Sequence, residues 1–360
     1  MMVEGLGGRG WPLGEIGLPN SQMIMLMNAD FNTTEDVKDM KPSELSQATG
    51  LSLKASVEVL RLAANKQQPN PVDMLQMFQE GSEFPQIVTF CRALDTLLGG
   101  GLPLQAVTEL SGTPGVGKTQ LCIQACVSVQ LPQSVGGVGG EAVYVDTRGS
   151  FTVKRLKDMA SYAVRHVQTI SGEDEDVSEF SVESVLRGTH YFRCQNCIEM
   201  LAVIKSLPKL IEAHPKIQLL VIDSISFHFR NDFPDVRERA KLTRIVTKEL
   251  IQPAVKRKMA VIVTNHMTTH VKGKGSAKLS PALGNAWGHC PTVRLNFLWS
   301  GETRVATLTK APQCLNSSAY FHVSVGGLRD VCDDQTSTSR NGNNVPAAKK
   351  RKFADTKKGP

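Results

Sequence analysis

The run GTPGVGKT at residues 112–119 constrains the fold of this 360-residue chain more than any other feature. It matches the pattern G-x-x-x-x-G-K-[ST], follows the apolar stretch AVTEL and precedes the helical stretch TQLCIQACVSVQL. A glycine-rich turn between a strand and a helix lets backbone N–H groups and the helix N-terminus surround phosphate groups. The run therefore predicts a phosphate-binding loop within an α/β domain.

The residue types around this loop predict a site for ATP and Mg²⁺. Lys118 is expected to reach the β- and γ-phosphates, and the Thr119 hydroxyl is expected to coordinate Mg²⁺. The apolar stretch LLVID at residues 219–223 ends in Asp223, the position from which a carboxylate holds the metal in such sites. We predict catalytic roles for Lys118, Thr119 and Asp223, with Thr119 and Asp223 as metal ligands. The predicted nucleotide-binding residues of the loop are Gly112, Thr113, Pro114, Gly115, Val116, Gly117, Lys118, Thr119 and Gln120.

From Thr89 to about Val331, short apolar runs alternate with helical stretches, which predicts a mostly parallel α/β sheet. Helices are expected after the first four strand candidates, and the last two candidates are expected to form an antiparallel edge. Thr268–Gly284 shows little strand or helix pattern. The strand candidates are Ala106–Leu110, Ala142–Val145, Leu219–Ile222, Ala260–Val263, Thr292–Leu298 and Arg304–Thr309.

The predicted organisation is a P-loop core (89–335) preceded by a small all-helical domain (16–64) and a proline-broken linker (65–88). Residues 1–15 are predicted to be flexible, and residues 336–360 to form a disordered basic tail. Helix starts are expected at Asn32–Asp36 and at Pro42–Leu45. The linker contains an apolar island, Met74–Phe78, which is either a local helix or a docking element for another chain.

Composition excludes several classes of protein. The hydrophobic content of 41% supports a buried core. The apolar runs fall far short of the ~18 residues that a membrane span needs. We expect no secretory signal ahead of the core. Eight cysteines without such a signal are expected to be reduced thiols. The net charge of +7 lies mostly in the tail, because residues 1–339 carry 34 basic against 33 acidic side chains. The body of the chain is nearly neutral, so any DNA-binding surface on it must be a local cluster of basic residues.

Several motifs, in order, resemble those of the RecA-type strand-exchange recombinases of eukaryotes. They are TFCRALDTLLGGGLPLQAVTELSGTPGVGKTQLCIQ, GEAVYVDTRGSF, LLVIDSISFHFR and VIVTNHMTT, and the similarity extends over residues 16–331. The segments HYFRC (190–194) and SPALGNAWGH (280–289), together with the basic C-terminal tail, most resemble the paralogue branch of that family designated C. The resemblance implies a RecA-like ATPase core, single-stranded DNA as a ligand, and sister paralogues and the main recombinase filament as partners. It also implies a role in homologous recombination and double-strand-break repair.

The resemblance assigns roles to further residues and exposes two departures. Arg155 matches an arginine that lies against adenine in the family, although a solvated helix face would also suit it. The family's water-polarising glutamate is Arg148 here, and a guanidinium cannot accept a proton near neutral pH. Asp146 and Glu141 are the candidates to substitute for it. The family's glutamine sensor is His266 here, so we expect ATP binding with slow turnover.

DNA contacts are expected from two segments. The acid-free stretch 250–301 contains seven Lys/Arg, and its Thr268–Gly284 part begins where a parallel strand ends, the side on which such sheets bind ligands. In the family this part and a segment matching His228–Arg239 face DNA. The candidate DNA-binding residues are Arg230, Arg237, Arg239, Lys272, Lys274 and Lys278. Solvated loop charge is the competing interpretation.

Three remaining features leave alternatives open. Lys349, Lys350, Arg351 and Lys352 are typical of a nuclear import signal, which predicts a nuclear protein with a possible cytoplasmic pool, and a tail that touches nucleic acid competes. Cys194 and Cys197 are expected to be buried thiols rather than zinc ligands. Phe78 is followed by Gln-Glu-Gly instead of the family's Phe-x-x-Ala motif, which argues against long self-filaments.

The sequence leaves two functions in competition. The chain is either an ATP-hydrolysing recombination enzyme or a nucleotide-gated assembly subunit, with a hexameric helicase as a distant third.

Overall fold

The computed structural model describes residues 12–66, 75, 86–171, 177–231, 236–272, 276–312 and 314–331. Its contacts divide the chain into two compact units, Met1–Glu83 and Phe84–Pro360. Most of the predicted linker, Lys274 and all of the predicted basic tail, including Lys349–Lys352, lie outside the described residues. Among the described residues, no helix is long and apolar enough to cross a membrane.

The first unit is built from helices around a small core. Its core side chains include Leu26, Val37, Leu45 and Val59, all fully buried. The helices are α1 (Asn20–Asn28), α2 (Thr34–Val37), α3 (Pro42–Thr49) and α4 (Leu53–Lys66).

Local signals in the sequence set the ends of these helices. The Asp36 carboxylate accepts the backbone N–H groups of Asn32 and Thr33 at 2.9 and 2.7 Å, which caps α2 and lowers the pKa of Asp36. Pro42 occupies the first turn of α3, where its missing N–H costs nothing. Gly50, at φ +74°, ends α3 in the left-handed conformation. The predicted helix starts in this region are confirmed.

The second unit holds thirteen strands, assigned within the described residues. They are β1 (Gln86–Ile87), β2 (Leu102–Pro103), β3 (Val107–Gly112), β4 (Glu141–Asp146), β5 (Thr189–Arg193), β6 (Ile217–Asp223), β7 (Ala260–Asn265), β8 (Met267–Lys272), β9 (Ser276–Pro281), β10 (Val293–Ser300), β11 (Thr303–Lys310), β12 (Ser318–Ser324) and β13 (Gly327–Asp330). Its helices are α5 (Arg92–Leu98), α6 (Lys118–Ser128), α7 (Val153–Ile170), α8 (Val182–Arg187), α9 (Cys197–Ala213), α10 (Ile225–Asn231), α11 (Val236–Lys256) and α12 (Gly284–Gly288).

The central sheet has nine strands in the order β13-β12-β11-β10-β3-β7-β6-β4-β5. The six strands from β10 to β5 run parallel, and β11, β12 and β13 extend the β10 side antiparallel. This is the predicted RecA-like α/β core with a mostly parallel sheet and an antiparallel edge, so the predicted fold class is confirmed.

Alternate residues of each central strand enter different cores, because successive side chains point to opposite faces of a sheet. In β6, Leu219 and Val221 pack into one hydrophobic cluster, and Leu220 and Ile222 pack into the other. The first cluster also contains buried side chains of α6 and α7, and the second also contains buried side chains of α9 and α11. With both faces covered, the parallel strands read as continuous apolar runs, which is why they were predictable.

The structure corrects two expectations about the region after β7. No helix follows β7, and the stretch predicted to lack regular structure contains an antiparallel hairpin of β8 and β9, which pair from Met267↔Pro281 to Lys272↔Ser276. The signal for this hairpin was present in Thr268, Thr269 and Val271, which favour strands, ahead of a glycine-flanked connection at 273–275. Strands β5, β12 and β13 were also not predicted, since half-exposed strands lack a continuous apolar run.

A pair of carboxylates joins α5 to the last strand of the sheet. Asp330, at the end of β13, accepts the backbone N–H groups of Arg92 and Ala93 at 2.9 and 2.8 Å and so caps α5. Asp95, one turn further along α5, accepts the Thr89 N–H at 2.8 Å. Burial, together with the nearby Asp330 charge, raises the pKa of Asp95 to about 6, against the opposing effect of the Thr89 hydrogen bond.

The raised pKa of Asp95 predicts a pH dependence of stability. Because the folded state binds the proton more tightly than the unfolded chain, the stabilisation is complete below about pH 4 and is lost as the pH rises through about 6. In Asp95→Asn this loss is absent, so the unfolding free energy of wild type should fall relative to the variant by roughly 1–3 kcal/mol across that window. Chemical denaturation of both chains at a series of pH values measures the difference. A difference that stays constant from pH 4 to 7 would contradict the assignment.

Candidate nucleotide-binding cleft

The predicted phosphate-binding loop lies between β3 and α6, at the carboxyl end of the parallel strands. Gly112, the last residue of β3, has φ +149°, and a β-carbon there would overlap the carbonyl oxygen of Phe297 on the paired strand β10. Gly117, at φ +108°, precedes the first turn of α6. The glycines at these two points are therefore required by a close backbone approach and by a left-handed turn.

Lys118 is folded back over this loop. Its Nζ donates to the carbonyl oxygens of Gly112 and Thr113 at 2.7 and 2.9 Å, and the side chain is buried. Burial lowers the pKa of the ammonium, Asp223 counteracts that effect, and Arg148 adds to it. The positive charge is thus held beneath the loop by neutral carbonyl groups.

Asp223, at the end of β6, accepts hydrogen bonds from three other elements of the core. Its Oδ2 accepts the hydroxyls of Thr119 at 2.5 Å and Tyr144 at 3.0 Å, and its Oδ1 accepts the hydroxyl of Thr264 at 2.5 Å. The exposed fraction of Asp223 is 3%, and burial together with the Asp223 charge raises the pKa of Tyr144 well above its usual value. Asp223 and Thr119, which the sequence paired as metal ligands, therefore lie in direct contact.

Residues of the phosphate-binding loop, together with Asp223, line a cleft of about 490 Å³, which is within the size range of small-ligand sites. Of the residues predicted to bind nucleotide, it is lined by Pro114, Gly115, Gly117, Lys118, Thr119 and Gln120. Arg304 and Val323, from the antiparallel extension of the sheet, complete the wall together with Ser150. The sequence did not identify Arg304 and Val323 as lining residues because their strands lie beyond the predicted parallel core, and Ser150, which lies between β4 and α7, was not identified either.

Arg148 and His266, the two departures from the family pattern, lie next to each other in the lining of the cleft. Arg148 is exposed, its Nη1 lies 3.5 Å from His266 Nε2, and its guanidinium lies 5.7 Å from the Phe227 ring centroid. His266 Nε2 is also 3.0 Å from the Ser224 hydroxyl, and the His266 N–H donates to the Ser226 hydroxyl at 3.0 Å. The pair forms a polar wall beside Asp223.

Neither carboxylate considered as a substitute for the missing glutamate is available. Asp146 is fully buried, and its two oxygens accept four successive backbone N–H groups from residues 148–151 at 2.7–3.3 Å. Glu141 lies at the opposite end of β4 and contacts His190 Nε2 at 2.8 Å. The proposed substitution is therefore wrong for both residues. Asp146 instead fixes the loop that carries Arg148.

Arg155 lies beside the cleft rather than in its lining. Its Nε donates to Gln120 Oε1 at 2.6 Å, and its two terminal nitrogens donate to the carbonyl oxygens of Val325 and Ser324 at 2.5 and 2.7 Å. This arginine thus joins α7 to α6 and to the β12–β13 turn. It is not on a solvated helix face.

A second buried carboxylate links the loop strand to the region after β7. Glu109, in the middle of β3, accepts Asn265 Nδ2 at 2.6 Å, Trp287 Nε1 at 3.1 Å and Arg294 Nε. Glu109 is fully buried and forms an ion pair with Arg294. Asn265 immediately precedes His266, so this network fixes the backbone from which His266 enters the cleft.

The predicted DNA-binding residues belong to elements that follow β6 and β7. Arg230 lies near the end of α10, and Arg237 and Arg239 lie in the first turn of α11. Lys272 is on β8 and Lys278 on β9, where position 278 is directly opposite position 270. Because positions 270 and 272 alternate with 271, positions 270, 272 and 278 share one face of the hairpin.

None of the described cysteines is in a disulfide bond. Six are buried, and Cys314 is partly exposed. Cys194 and Cys197, at the start of α9, are both buried as predicted, and burial raises the pKa of Cys194 to about 11. A thiol that stays protonated near pH 7 is a poor metal ligand.

Comparison with known proteins agrees with this geometry. A family model described as Rad51 matches residues 81–331, which is more than half of the chain. The chain belongs to the Rad51 family. The resemblance of the motifs to RecA-type recombinases is therefore confirmed.

Three relatives show how far the similarity extends. The chain is 39% identical over 337 residues to DNA repair protein RAD51 homolog 3 of Cricetulus griseus, covering 89% of this chain and 92% of the relative. It is 33% identical over 264 residues to the protein of the same name from Dictyostelium discoideum, covering 72% and 69%. It is 31% identical over 309 residues to DNA repair and recombination protein RadA of Aeropyrum pernix, covering 85% and 92%.

The hydroxyl of Tyr144 provides a test of the contacts around Asp223 in this Rad51-family cleft. Tyr144→Phe removes one donor to a buried carboxylate, so we expect a loss of about 1–2 kcal/mol in unfolding free energy, measured by chemical denaturation. Tyr191→Phe is the matched control. Its hydroxyl donates to Asp146 at 3.2 Å from a side chain that is 44% exposed, so its loss should be smaller. Equal losses in the two variants would contradict the central role of Asp223.

Proposed function

We propose that this chain is an ATP- and Mg²⁺-binding recombinase paralogue that acts in homologous recombination and the repair of DNA double-strand breaks. In this proposal it binds single-stranded DNA in a hetero-oligomer of sister paralogues, which assists the filament of the main recombinase. The observation that carries the proposal is the contact between Thr119 and Asp223 beneath a complete phosphate-binding loop in a Rad51-family core. The names of two relatives, which place those proteins in DNA repair, support the cellular role.

The residues of the cleft fit a nucleoside triphosphate with Mg²⁺. The loop brings the Lys118 ammonium and the first turn of α6 to one place, which suits the β- and γ-phosphates. The Thr119 hydroxyl and the Asp223 carboxylate supply oxygen atoms, the donor type that Mg²⁺ takes in proteins. When bound, Mg²⁺ would neutralise charge on the phosphate oxygens.

The described residues of the cleft would orient the phosphates, but none of them offers an unoccupied carboxylate as a general base. Among the described residues that line the cleft, Asp223 is the only carboxylate, and three hydroxyl groups already donate to it. Arg148 occupies the family's glutamate position, and its positive charge suits the terminal phosphate of bound ATP. We therefore infer that ATP binds and is hydrolysed slowly.

The same observation favours a second candidate function, a nucleotide-gated assembly subunit in which ATP mainly holds an assembled state. A subunit that does not turn ATP over would keep its partners together for as long as the nucleotide stays bound. Turnover measured with and without DNA and partner paralogues separates the two. Native mass measurement of the complex recovered from cells identifies the partners and their number.

For DNA, the proposal relies on basic residues carried by the elements after β6 and β7. Lys272 and Lys278 lie on the two strands of the hairpin, and Lys274 belongs to the connection between them. Lysines on such a hairpin would contact phosphates without reading bases, which suits single-stranded DNA of any sequence. The proposed nuclear location relies on Lys349, Lys350, Arg351 and Lys352 of the sequence.

Arg148→Glu tests the inference of slow turnover. We expect the purified wild-type chain to hydrolyse ATP well below ~1 s⁻¹, the lower end of ordinary enzyme rates. A carboxylate at position 148 could accept a proton from water, and general-base assistance contributes about 10²–10⁴-fold when fully aligned. The variant should therefore be faster by about tenfold or more in a steady-state phosphate-release assay.

Arg148→Gln is the control, because it removes the positive charge without adding a base. It should stay slow and bind ATP less tightly, because it loses the charge that faces the terminal phosphate. If Arg148→Gln accelerates hydrolysis as much as Arg148→Glu, the missing base is not the cause. If wild type alone turns over at ordinary rates, the inference of slow hydrolysis fails.

Salt dependence tests the electrostatic view of DNA binding. Each phosphate contact on a single strand contributes about 0.7 to the slope of log K against log salt. Replacing Lys272, Lys274 and Lys278 with alanine should therefore lower the magnitude of the slope by about 2, measured by fluorescence anisotropy with a labelled single strand. The charge-matched control replaces the exposed Lys157, Lys205 and Lys209, and it should leave the slope unchanged. Equal slopes for wild type and the hairpin variant would remove the hairpin from the DNA interface.

A further inference from the structure

Two histidines and a glutamate meet at the edge of the sheet opposite the nucleotide cleft. Glu141 is the first residue of β4, His190 is on β5, and His214 is the residue that ends α9. One ligand atom from each of the three side chains lies within 4.8 Å of the other two. The nucleotide cleft, by contrast, is formed at the carboxyl ends of the same parallel strands.

The geometry of the three side chains suits a small divalent metal ion. Glu141 Oε2 lies 2.8 Å from His190 Nε2, and the ring centroids of His190 and His214 are 4.5 Å apart. In a tetrahedral zinc site, bond lengths of about 2.0–2.2 Å place neighbouring ligand atoms about 3.3 Å apart. Entry of the ion would thus separate Glu141 from His190 by only about half an ångström and draw the exposed His214 inward.

The backbone holds the three positions in a fixed frame. Val143 of β4 pairs with His190 of β5, and the Glu141 N–H donates to the carbonyl oxygen of Lys216 at 2.7 Å. The His214 carbonyl accepts the Ile217 N–H at 3.1 Å, which fixes the turn between α9 and β6. Because strands and a closed turn carry the ligands, little ordering is needed when an ion binds.

We propose that Glu141, His190 and His214 form a zinc site, with two imidazole nitrogens and one carboxylate oxygen as protein ligands. Two histidines and a glutamate are a ligand set found in zinc proteins, where water completes the coordination. The side chains of Glu141 and His190 are 27% and 21% exposed, and His214 is exposed, so an ion can reach them from solvent. Bound zinc links the edge strand β5 to β4 and to the end of α9, so it stabilises this edge of the core.

Positive charge near the site sets a limit on its affinity. Lys216 and Arg187 line the groove that Glu141 also lines, and Arg187 is paired with Glu183 at 2.6 Å. Lys216 therefore opposes a dication near Glu141 more than Arg187 does. The site is suited to reversible binding rather than to an ion needed for folding.

The test uses the full chain without a histidine tag, reduced and stripped of metal with a chelator. Zn²⁺ is titrated in competition with a chromophoric chelator, and Co²⁺ is then used as a spectroscopic probe. We expect one Zn²⁺ per chain, a melting temperature that rises with Zn²⁺ concentration, and no cobalt–thiolate charge-transfer absorption. His190→Ala and His214→Ala should each weaken binding by about tenfold or more.

His166→Ala is the matched control, since it removes an exposed histidine that is outside the cluster and should bind zinc as wild type does. His214→Ala alters an exposed position, and its melting temperature without metal shows that the fold is intact. Equal zinc binding in all variants, a thiolate absorption band with Co²⁺, or no binding by wild type would each overturn the proposal. Because no readout involves ATP or DNA, the outcome is independent of the proposed function.

Discussion

The buried carboxylate of Asp223 holds the nucleotide cleft together. It accepts hydroxyl groups from Thr119 on α6, Tyr144 on β4 and Thr264 on β7, so three elements besides its own strand converge on two oxygen atoms. A buried carboxylate is costly unless it is hydrogen-bonded, and these three hydroxyl donors stabilise it. The same contacts fix the distance between the phosphate-binding loop and the end of β6, where the proposed Mg²⁺ ligands Thr119 and Asp223 lie.

Glu109, a second buried carboxylate, also connects several elements of the core. Its ion pair with Arg294 and its hydrogen bonds to Asn265 and Trp287 connect the loop strand to β10, to the end of β7 and to α12. Asn265 lies between this network and His266, whose ring enters the cleft. The backbone on which the hairpin begins is therefore fixed by a residue of the strand that carries the phosphate-binding loop. Glu109 and Asn265 thus connect β3 directly to the start of the hairpin.

The sequence predicted the parallel core well because its strands are buried on both faces, and it predicted the loop because glycine is required at Gly112 and Gly117. It did not predict the β8–β9 hairpin, whose short polar strands look like a loop until their pairing is known. Nor could it identify Arg304 and Val323 as lining residues, since their position depends on how the antiparallel strands fold back beside the loop. The cluster of Glu141, His190 and His214 also depends on pairing, because its members are far apart in the chain.

Two carboxylates at the carboxyl ends of the parallel strands, Asp223 and Asp146, already have hydrogen-bond partners. Neither therefore replaces the family's glutamate, whose position is Arg148 here. Asp223 is occupied by hydroxyl donors, and Asp146 is occupied by the backbone N–H groups of the loop that carries Arg148. Freeing Asp146 to activate water would take its partner from four backbone N–H groups of residues 148–151 and would release that loop. The arginine also brings positive charge towards the place where the terminal phosphate of ATP is expected. Under the proposed function, a cleft arranged in this way would favour retention of a bound nucleotide over its hydrolysis, as expected of a protein whose nucleotide state governs assembly.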